Sequence, residues 1–216
     1  MLQETVEEYL STIYRLRTDP ETPLPLSRLS DFFGFSPVSI HEMIQKLNDR
    51  GWVRYHPYRG VLLTESGEEA AQALLRRHRL WERFLTDILE IPWDDAHRVA
   101  GSLEHAATDL VMERLAAFLG QPDSCPHGAP IPPAKRSPLE QCLRSLPAGT
   151  RGRIARIAPE TPQLLARAAD LALVPGRHFR LLAQEEDETR LILVPEEAAP
   201  VSVSARDAAA IWVEVL

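Results

Sequence analysis

The sequence lacks the features that mark membrane proteins and disulfide-rich secreted proteins. It has two cysteines in 216 residues, too few for a disulfide framework, and neither has a partner at metal-ligand spacing. No run of about 18 apolar residues occurs, so the sequence predicts no membrane-spanning helix. The N-terminus has neither the basic start nor the apolar core of a signal peptide, so we expect a cytoplasmic protein.

A net positive charge, common in proteins that bind nucleic acid, is also missing. The formal net charge is −7, whereas contacts to phosphate come largely from Lys and Arg. The distribution of charge matters more than its total. Residues 36–60 carry Lys46, Arg50, Arg54 and Arg59 against only two acidic side chains. This locally basic segment permits DNA binding, and the acidic remainder suits a protein that binds a divalent cation.

Three short amphipathic helices are predicted at the N-terminal end. Apolar residues repeat at helical spacing over residues 3–18, 26–33 and 37–49. Gly34 is a natural helix stop, and Ser36 is a natural N-cap for the third helix. A short turn with a glycine between two helices is typical of the helix-turn-helix motif.

A β-hairpin follows the third helix. Two strand-like runs, residues 52–55 and 61–63, flank a turn that carries Tyr58 and Arg59. Three helices and a hairpin form a winged helix-turn-helix, although a small helical core with no role in DNA binding has the same pattern. The turn favours DNA, because its aromatic ring and guanidinium pack nothing locally but can reach a phosphate or the minor groove. The side chains expected at DNA are Ser36, Val38, Ser39, His41, Glu42, Lys46, Arg50, Arg54, Tyr58 and Arg59.

Two long helices are predicted next, one over residues 64–90 and one from Asp94 or Asp95 to about Leu119. Together they carry more apolar surface than a helical hairpin buries alone. The excess predicts a dimer interface, and two-fold symmetry suits a helix-turn-helix protein. The apolar side chains are Trp81, Phe84, Leu85, Val99, Leu103, Leu110, Val111 and Phe118.

Histidines and carboxylates are concentrated in these two helices. His78 and Glu82 are four residues apart and share one helix face. An antiparallel return brings His97 beside them, and Glu104 and His105 follow two turns later. Imidazole with carboxylate suits Mn, Fe, Zn or Co. Each residue alone fits a helix cap or a half-buried His–carboxylate pair equally well, whereas the whole set favours a metal site.

The composition changes again after residue 119. Residues 120–138 are rich in Pro and Gly, which predicts a linker laid down on the surface. From Leu146 onward, five strand-like runs and one helix predict a small β-barrel. The strands are expected at residues 153–158, 178–183, 190–194, 201–203 and 211–215, and the helix at residues 161–172.

The chain resembles the diphtheria-toxin-repressor family of iron- and manganese-dependent repressors. The resemblance implies a mainly α fold with a small β part: a winged helix-turn-helix at 1–64, a helical dimerisation and metal-binding domain with a Pro-rich linker at 65–138, and an SH3-like, FeoA-type small β-barrel at 139–216. The matching segments are Thr5-Val6-Glu7-Glu8-Tyr9-Leu10, Leu63-Thr64-Glu65-Ser66-Gly67, Arg77-His78-Arg79-Leu80-Trp81-Glu82-Arg83-Phe84-Leu85, Leu103-Glu104-His105 and Gly128-Ala129-Pro130-Ile131-Pro132.

The resemblance also implies two metal sites. The first would use His78, Glu82, His97, Glu160 and Gln163, and the second would use Glu8, Glu104 and His105. Gly101 stands where members of the family place a Cys or Glu ligand, and Ser11 where manganese-type members place a Glu, so the second site lacks a side chain. Oxygen and imidazole ligands favour Mn(II) over Fe(II) as the cofactor.

By the same resemblance, the protein is not an enzyme but a homodimeric repressor of metal-uptake genes that binds double-stranded operator DNA. A cation held by Glu8, Glu104 and His105 would set the spacing of two recognition helices that enter major grooves about 34 Å apart. Two alternatives stay open. A zinc hydrolase would use His78, Glu82 and His97 as ligands, but it has no general base placed nearby. A metal-independent DNA- or peptide-binding module predicts binding that ignores chelators.

Overall fold

The computed structural model describes residues 2–135, 137–184, 190–195 and 199–216. The chain divides into two compact units, Met1–Arg77 and His78–Leu216. Within the described ranges, no helix is both long and apolar enough to cross a membrane.

The first unit is built from three helices and a two-stranded antiparallel hairpin. Its core is formed by fully buried aliphatic side chains, among them Leu10, Leu29 and Ile44. The next helix, α4 (Glu65–Asp87), begins in this unit. The remaining elements are α1 (Leu2–Leu16), α2 (Leu26–Phe33), α3 (Pro37–Asp49), β1 (Val53–His56) and β2 (Gly60–Leu63).

The turn between α2 and α3 forms as the sequence predicts. Gly34 ends α2 in the left-handed conformation, with its N–H donating to the carbonyl oxygen of Ser30 at 2.9 Å. The Ser36 hydroxyl accepts a hydrogen bond from the N–H of Ser39 at 3.1 Å, and Pro37 is the first helical residue. These local caps determine the bounds of both helices, and the predicted helix-turn-helix is confirmed.

The hairpin is held to Leu24, two residues before α2. Leu24 and Val61 exchange two backbone hydrogen bonds, both of 2.9 Å. Tyr58, at the tip, has a φ of 63° and is fully exposed. The base of the hairpin is therefore fixed to the helical core, while its tip projects into solvent.

In the second unit, two helices occupy the place where one was predicted. They are α5 (Trp93–Leu103) and α6 (Asp109–Phe118), so the prediction of a single helix to Leu119 is wrong. Thr108 interrupts the helix because its backbone is extended and its side chain caps α6 by accepting from the N–H of Val111. The interruption leaves Glu104 at the end of α5 with its side chain buried.

The C-terminal part of this unit is a six-stranded antiparallel sheet in the order β3-β8-β4-β5-β6-β7. Its core contains Ile154, Ile157, Leu165, Phe179 and Val213. The predicted small β domain is confirmed, with one more strand than expected. The additional strand, β3, has three residues, too few to show the alternation of apolar and polar residues that predicts a strand. The elements are β3 (Glu140–Cys142), β4 (Arg151–Ile157), α7 (Pro162–Asp170), β5 (His178–Gln184), β6 (Arg190–Pro195), β7 (Val201–Ser204), α8 (Ala205–Ala208) and β8 (Ile211–Val215).

Alternate residues of the segment 125–131 are buried, so the linker predicted over residues 120–138 does not lie on the surface in this part. Cys125, His127 and Ile131 are each at most 1% exposed. The carbonyl oxygen of His127 accepts a hydrogen bond from the N–H of Ile157 on β4 at 3.0 Å. At Gly128, which has a φ of 84°, a Cβ would lie 1.9 Å from the carbonyl oxygen of Ala155. The lack of a side chain at Gly128 lets this segment pack directly on β4.

Two helical glycines are expected to respond in opposite ways to alanine. A Cβ on Gly67 in α4 would lie 1.9 Å from the carbonyl oxygen of Trp52, so backbone must move. We expect Gly67→Ala to lower the free energy of unfolding by about 1–3 kcal/mol. A Cβ on Gly101 in α5 meets nothing within 4 Å. Gly101→Ala should therefore raise the free energy of unfolding by about 0.5–1 kcal/mol, because alanine has the higher helix propensity.

Calorimetry of the two chelator-treated variants and of wild type measures both changes. The two glycines lie in different units, so each variant reports on its own unit. A stabilising Gly67→Ala would contradict the close approach of α4 to the Trp52 carbonyl. A destabilising Gly101→Ala would contradict the open space at α5.

Candidate metal centre

Four side chains with metal-ligating atoms converge in the second unit. They are Glu82 on α4, His97 on α5, His127 in the buried segment 125–131, and Glu160, two residues before α7. One ligand atom from each lies within 4.8 Å of those of the other three. Two imidazoles and two carboxylates at this separation form a donor set that suits a divalent transition metal.

Backbone contacts hold His127 in a defined orientation. Its Nε2 atom lies 3.0 Å from the carbonyl oxygen of Trp93, the first residue of α5. A carbonyl oxygen only accepts, so Nε2 carries a proton and Nδ1 is the atom that faces the cluster. Nδ1 lies 3.3 Å from Oε1 of Glu82. A backbone acceptor on the far nitrogen is the arrangement that orients metal-binding histidines in proteins.

The centre of the cluster is one oxygen atom of Glu82. Its Oε1 lies 2.7 Å from Nδ1 of His97, 3.0 Å from Nε2 of His78 and 3.3 Å from Nδ1 of His127. The Glu82 side chain is completely buried, and its other oxygen, Oε2, has no hydrogen-bond partner among the described residues. Leaving a buried carboxylate oxygen unpaired costs free energy, and a bound cation would remove that cost.

The histidines and Glu82 alter each other's protonation. Burial raises the pKa of Glu82, but the positive field of His78 and His127 outweighs it and holds this pKa well below its usual range. Burial lowers the pKa of His127, but Glu82 and Glu160 outweigh it and leave this pKa raised. Glu82 therefore stays ionised, and the raised pKa of His127 favours a proton on that imidazole, which balances the charge. A metal ion would displace this proton, so metal affinity should rise with pH.

Cys125 lies at the edge of the cluster, which its position in the sequence did not suggest. Its Sγ atom is 3.7 Å from Nδ1 of His127 and donates to Oε1 of Glu160 at 3.9 Å. Burial raises the pKa of this thiol well above its usual range, and the charges of Glu82 and Glu160 add to the effect. The thiol is therefore protonated in this arrangement.

His78 connects the cluster to a second buried carboxylate. Its Nδ1 donates to Oε2 of Glu104 at 2.6 Å, because a carboxylate accepts. Its Nε2 faces Oε1 of Glu82 at 3.0 Å and Nδ1 of His97 at 3.1 Å. The other oxygen of Glu104 lies 3.5 Å from Nε2 of His105. A continuous polar chain thus runs from Glu82 through His78 to Glu104 and His105.

The structure brings four of the five residues predicted for the first site together. His78, Glu82, His97 and Glu160 lie in or against the cluster, whereas Gln163 is exposed in the first turn of α7. Sequence reasoning missed His127. The available signal was Cys125-Pro126-His127, where two metal-ligating residue types stand two apart, but the surrounding Pro and Gly residues favoured a surface linker.

The other predicted residues lie on two separate units. Glu104 and His105 are neighbours after α5 in the second unit, while Glu8 is half-buried on α1 in the first. The residues predicted to contact DNA are all exposed, on α3, the hairpin and the residues flanking them. They are Ser36, Val38, Ser39, His41, Glu42, Lys46, Arg50, Arg54, Tyr58 and Arg59.

Three family models match the chain in succession. Residues 1–61 match the iron dependent repressor, N-terminal DNA binding domain, and residues 64–133 match the iron dependent repressor, metal binding and dimerisation domain. Residues 141–215 match the FeoA domain. The metal cluster draws on the second and third of these regions, since Glu160 belongs to the FeoA match.

Two relatives and one solved structure show the same similarity. The chain is 36% identical over 131 residues to the iron-dependent repressor IdeR of Mycobacterium tuberculosis, which covers 61% of this chain and 56% of that relative. The chain thus matches just over half the length of that protein. It is 28% identical over 227 residues to the diphtheria toxin repressor of Corynebacterium jeikeium, which covers 91% of this chain and 94% of the relative.

The solved structure is a manganese-dependent transcriptional repressor in complex with manganese. It has a TM-score of 0.87 and 35% sequence identity, and the match covers 98% of this chain and 100% of the other. The similarity therefore extends over all three matched regions, including the C-terminal sheet.

In the metal-free protein, the raised pKa of His127 predicts a stability that depends on pH. The contribution of a group with a raised folded pKa is fully present below its unfolded pKa and is lost as the pH rises through its folded pKa. The difference in free energy of unfolding between wild type and His127→Asn should therefore be larger at about pH 6 than at about pH 8. Urea unfolding of both proteins at the two pH values, with chelator present, measures this difference in free energy of unfolding. A difference that grows with pH would contradict the ion pair with Glu82.

Proposed function

Because the chain belongs to the diphtheria-toxin-repressor family of iron- and manganese-dependent regulators, we propose that it is a metal-activated repressor that binds operator DNA as a homodimer. The family consists of DNA-binding repressors, which sets the hydrolase alternative aside. The observation that carries the proposal is the buried Glu82 carboxylate, which has three imidazoles at one oxygen and, among the described residues, no hydrogen-bond partner at the other.

The proposed metal site contains Glu82, His97, His127 and Glu160, with His78 able to join through Nε2. Its donors are imidazole nitrogen and carboxylate oxygen, and the neighbouring thiol of Cys125 is protonated. Such hard and borderline donors suit Mn(II) and also accept Fe(II), so we favour manganese. The similar manganese-bound repressor supports this choice. Zn(II) binds such sites more tightly in vitro, so selectivity depends on metal supply as well as affinity.

The proposed activation is a shift between conformations. A metal that binds only the DNA-competent arrangement increases its population, and a shift from 1:99 to 99:1 requires about 5.5 kcal/mol of differential binding. Glu8, Glu104 and His105 remain the predicted second ligand set. His78 donates to Glu104 and faces Glu82. A metal at Glu82 would therefore orient Glu104 through His78, as the outer partners of metal ligands commonly do.

Glu82→Gln, compared with Glu69→Gln, tests the role of the metal. Both residues lie on α4, but Glu82 is buried and Glu69 exposed. DNA binding is measured by anisotropy on a duplex selected from a random library by the Mn(II)-loaded wild type, anaerobically and at fixed salt. Wild-type binding should require Mn(II) and disappear with chelator. Glu82→Gln should need at least about tenfold more Mn(II), and Glu69→Gln should match wild type.

Parallel titrations with Fe(II) and Zn(II) measure the preference between metals. Tight, sequence-specific binding by the metal-stripped wild type would contradict metal activation and leave only the DNA-binding part of the proposal. An unchanged Mn(II) requirement in Glu82→Gln would place the activating metal elsewhere.

The proposed dimer interface includes the apolar stripe of α6. Leu110, Val111 and Phe118 are 64%, 45% and 66% exposed, and the ring of Phe118 contacts Phe84 at a centroid distance of 6.5 Å. These residues recur on one face at helical spacing. An exposed apolar stripe of this kind marks a surface that another protein covers, which agrees with the match to a dimerisation domain.

Leu110→Glu should weaken the homodimer by at least tenfold, about 1.4 kcal/mol, because a charge would be buried in the interface. Leu139→Glu is the control, since Leu139 is an equally exposed leucine of the same unit outside α6. Sedimentation equilibrium of the metal-loaded proteins compares the two. If both variants dimerise as wild type does, α6 is not the interface.

A further inference from the structure

The exposed face of α3 combines one acidic side chain with apolar and basic ones. Ile40, Ile44 and Leu47 point into the core of the first unit. The opposite face presents Val38, Ser39, His41, Glu42 and Lys46 to solvent. In a helix-turn-helix, the N-terminal part of the second helix faces the bases in the major groove. A carboxylate at this place is unexpected, because the surrounding phosphates repel it.

Nothing in the described ranges neutralises the Glu42 carboxylate: it makes neither a hydrogen bond nor an ion pair there. Lys46 lies four residues later, at the spacing that favours a Glu–Lys pair on a helix, yet it does not pair with Glu42. A solubilising pair along the helix therefore does not explain the acidic residue.

The neighbouring histidine is turned toward the hairpin. The His41 ring packs edge-on against Tyr55 at a centroid distance of 5.3 Å, and its Nε2 lies 3.5 Å from Nε2 of Gln45. Val38 and Glu42, which are four residues apart, share the adjacent face. The Ser39 hydroxyl lies 2.9 Å from that of Ser36. Among the exposed side chains that follow Pro37 in the N-terminal half of α3, Val38 and Glu42 are therefore the two with no hydrogen bond or ring contact within the described ranges.

We infer that Glu42 selects a cytosine in each operator half-site by accepting a hydrogen bond from its exocyclic amino group, an inference that rests on the proposed function. In the major groove, hydrogen-bond donors are found only on cytosine N4 and adenine N6. Adenine presents the N7 acceptor beside its amino group, and N7 repels the second carboxylate oxygen. Cytosine presents a C–H bond there instead. An anionic acceptor thus distinguishes cytosine from adenine.

Val38 gives the expected context of that cytosine. The helix rises 1.5 Å per residue, so Val38 and Glu42 are about 6 Å apart along its axis. This distance corresponds to about two base-pair steps of roughly 3.4 Å. An exposed valine side chain favours contact with a thymine methyl group. We therefore expect a thymine within about two base pairs of the selected cytosine.

Selection from a random duplex library tests the inference, with the Mn(II)-loaded full chain as wild type, Glu42→Gln, Glu42→Ala and Lys46→Gln. Wild type should enrich one position per half-site in cytosine. Glu42→Gln should shift that position to adenine, because a carboxamide bonds both N6 and N7. Glu42→Ala should lower the preference for cytosine at least about fivefold and leave the other positions unchanged. Lys46→Gln should keep the motif but bind more weakly, with a salt slope smaller by about 1.

Two results would overturn the inference. Base frequencies in Glu42→Gln and Glu42→Ala that match those of wild type would show that Glu42 reads no base. Equal loss at every position would assign Glu42 a general role in folding or docking, which the thermal unfolding of the variants would reveal separately. If metal-loaded wild type enriches no motif at all, the proposed function itself fails, which distinguishes the two failures.

Discussion

The second unit depends on how it accommodates one buried charge, the carboxylate of Glu82. Burying an ion costs several kcal/mol unless partners replace its hydration. Here three imidazoles meet one carboxylate oxygen, while the other has no hydrogen-bond partner among the described residues. The described residues therefore provide hydrogen-bond partners for one of the two oxygens of the Glu82 carboxylate. A proton on His127, whose pKa is raised by Glu82, balances part of the charge, and a divalent cation could do so in its place.

The partners of the buried Glu82 carboxylate come from distant parts of the chain. The three histidines come from α4, α5 and the segment 125–131, and that segment is itself packed on β4 through His127 and Gly128. Glu160 lies three residues after the end of β4, and α5 packs against α7. The small β domain is thus joined to the cluster by backbone packing as well as by the carboxylate of Glu160. Metal bound only by this arrangement would stabilise it by mass action.

Local signals predicted the parts of the structure that depend on neighbouring residues. Ser36 and Gly34 determine the bounds of α2 and α3 because caps act within one turn, and His78 and Glu82 share a face because both lie on one helix. The burial of His127 could not be predicted in this way. Proline and glycine indicate an irregular backbone, but packing against β4, some 30 residues later, decides whether that backbone is buried. The interruption before Thr108 likewise depends on a single capping side chain.

Two carboxylates thus lack a complete set of partners within the described chain, and their surroundings give them different consequences. Glu82 is buried, so its unpaired oxygen costs free energy in the protein itself, a cost that the proposed metal would remove. Glu42 is exposed, so water hydrates it at little cost until DNA approaches. When DNA approaches, repulsion between the phosphates and the carboxylate lowers the affinity of every complex in which no base donates a hydrogen bond to Glu42. An acidic group on a recognition helix therefore weakens binding to most sequences more than to the correct one, and in this way it increases specificity rather than affinity.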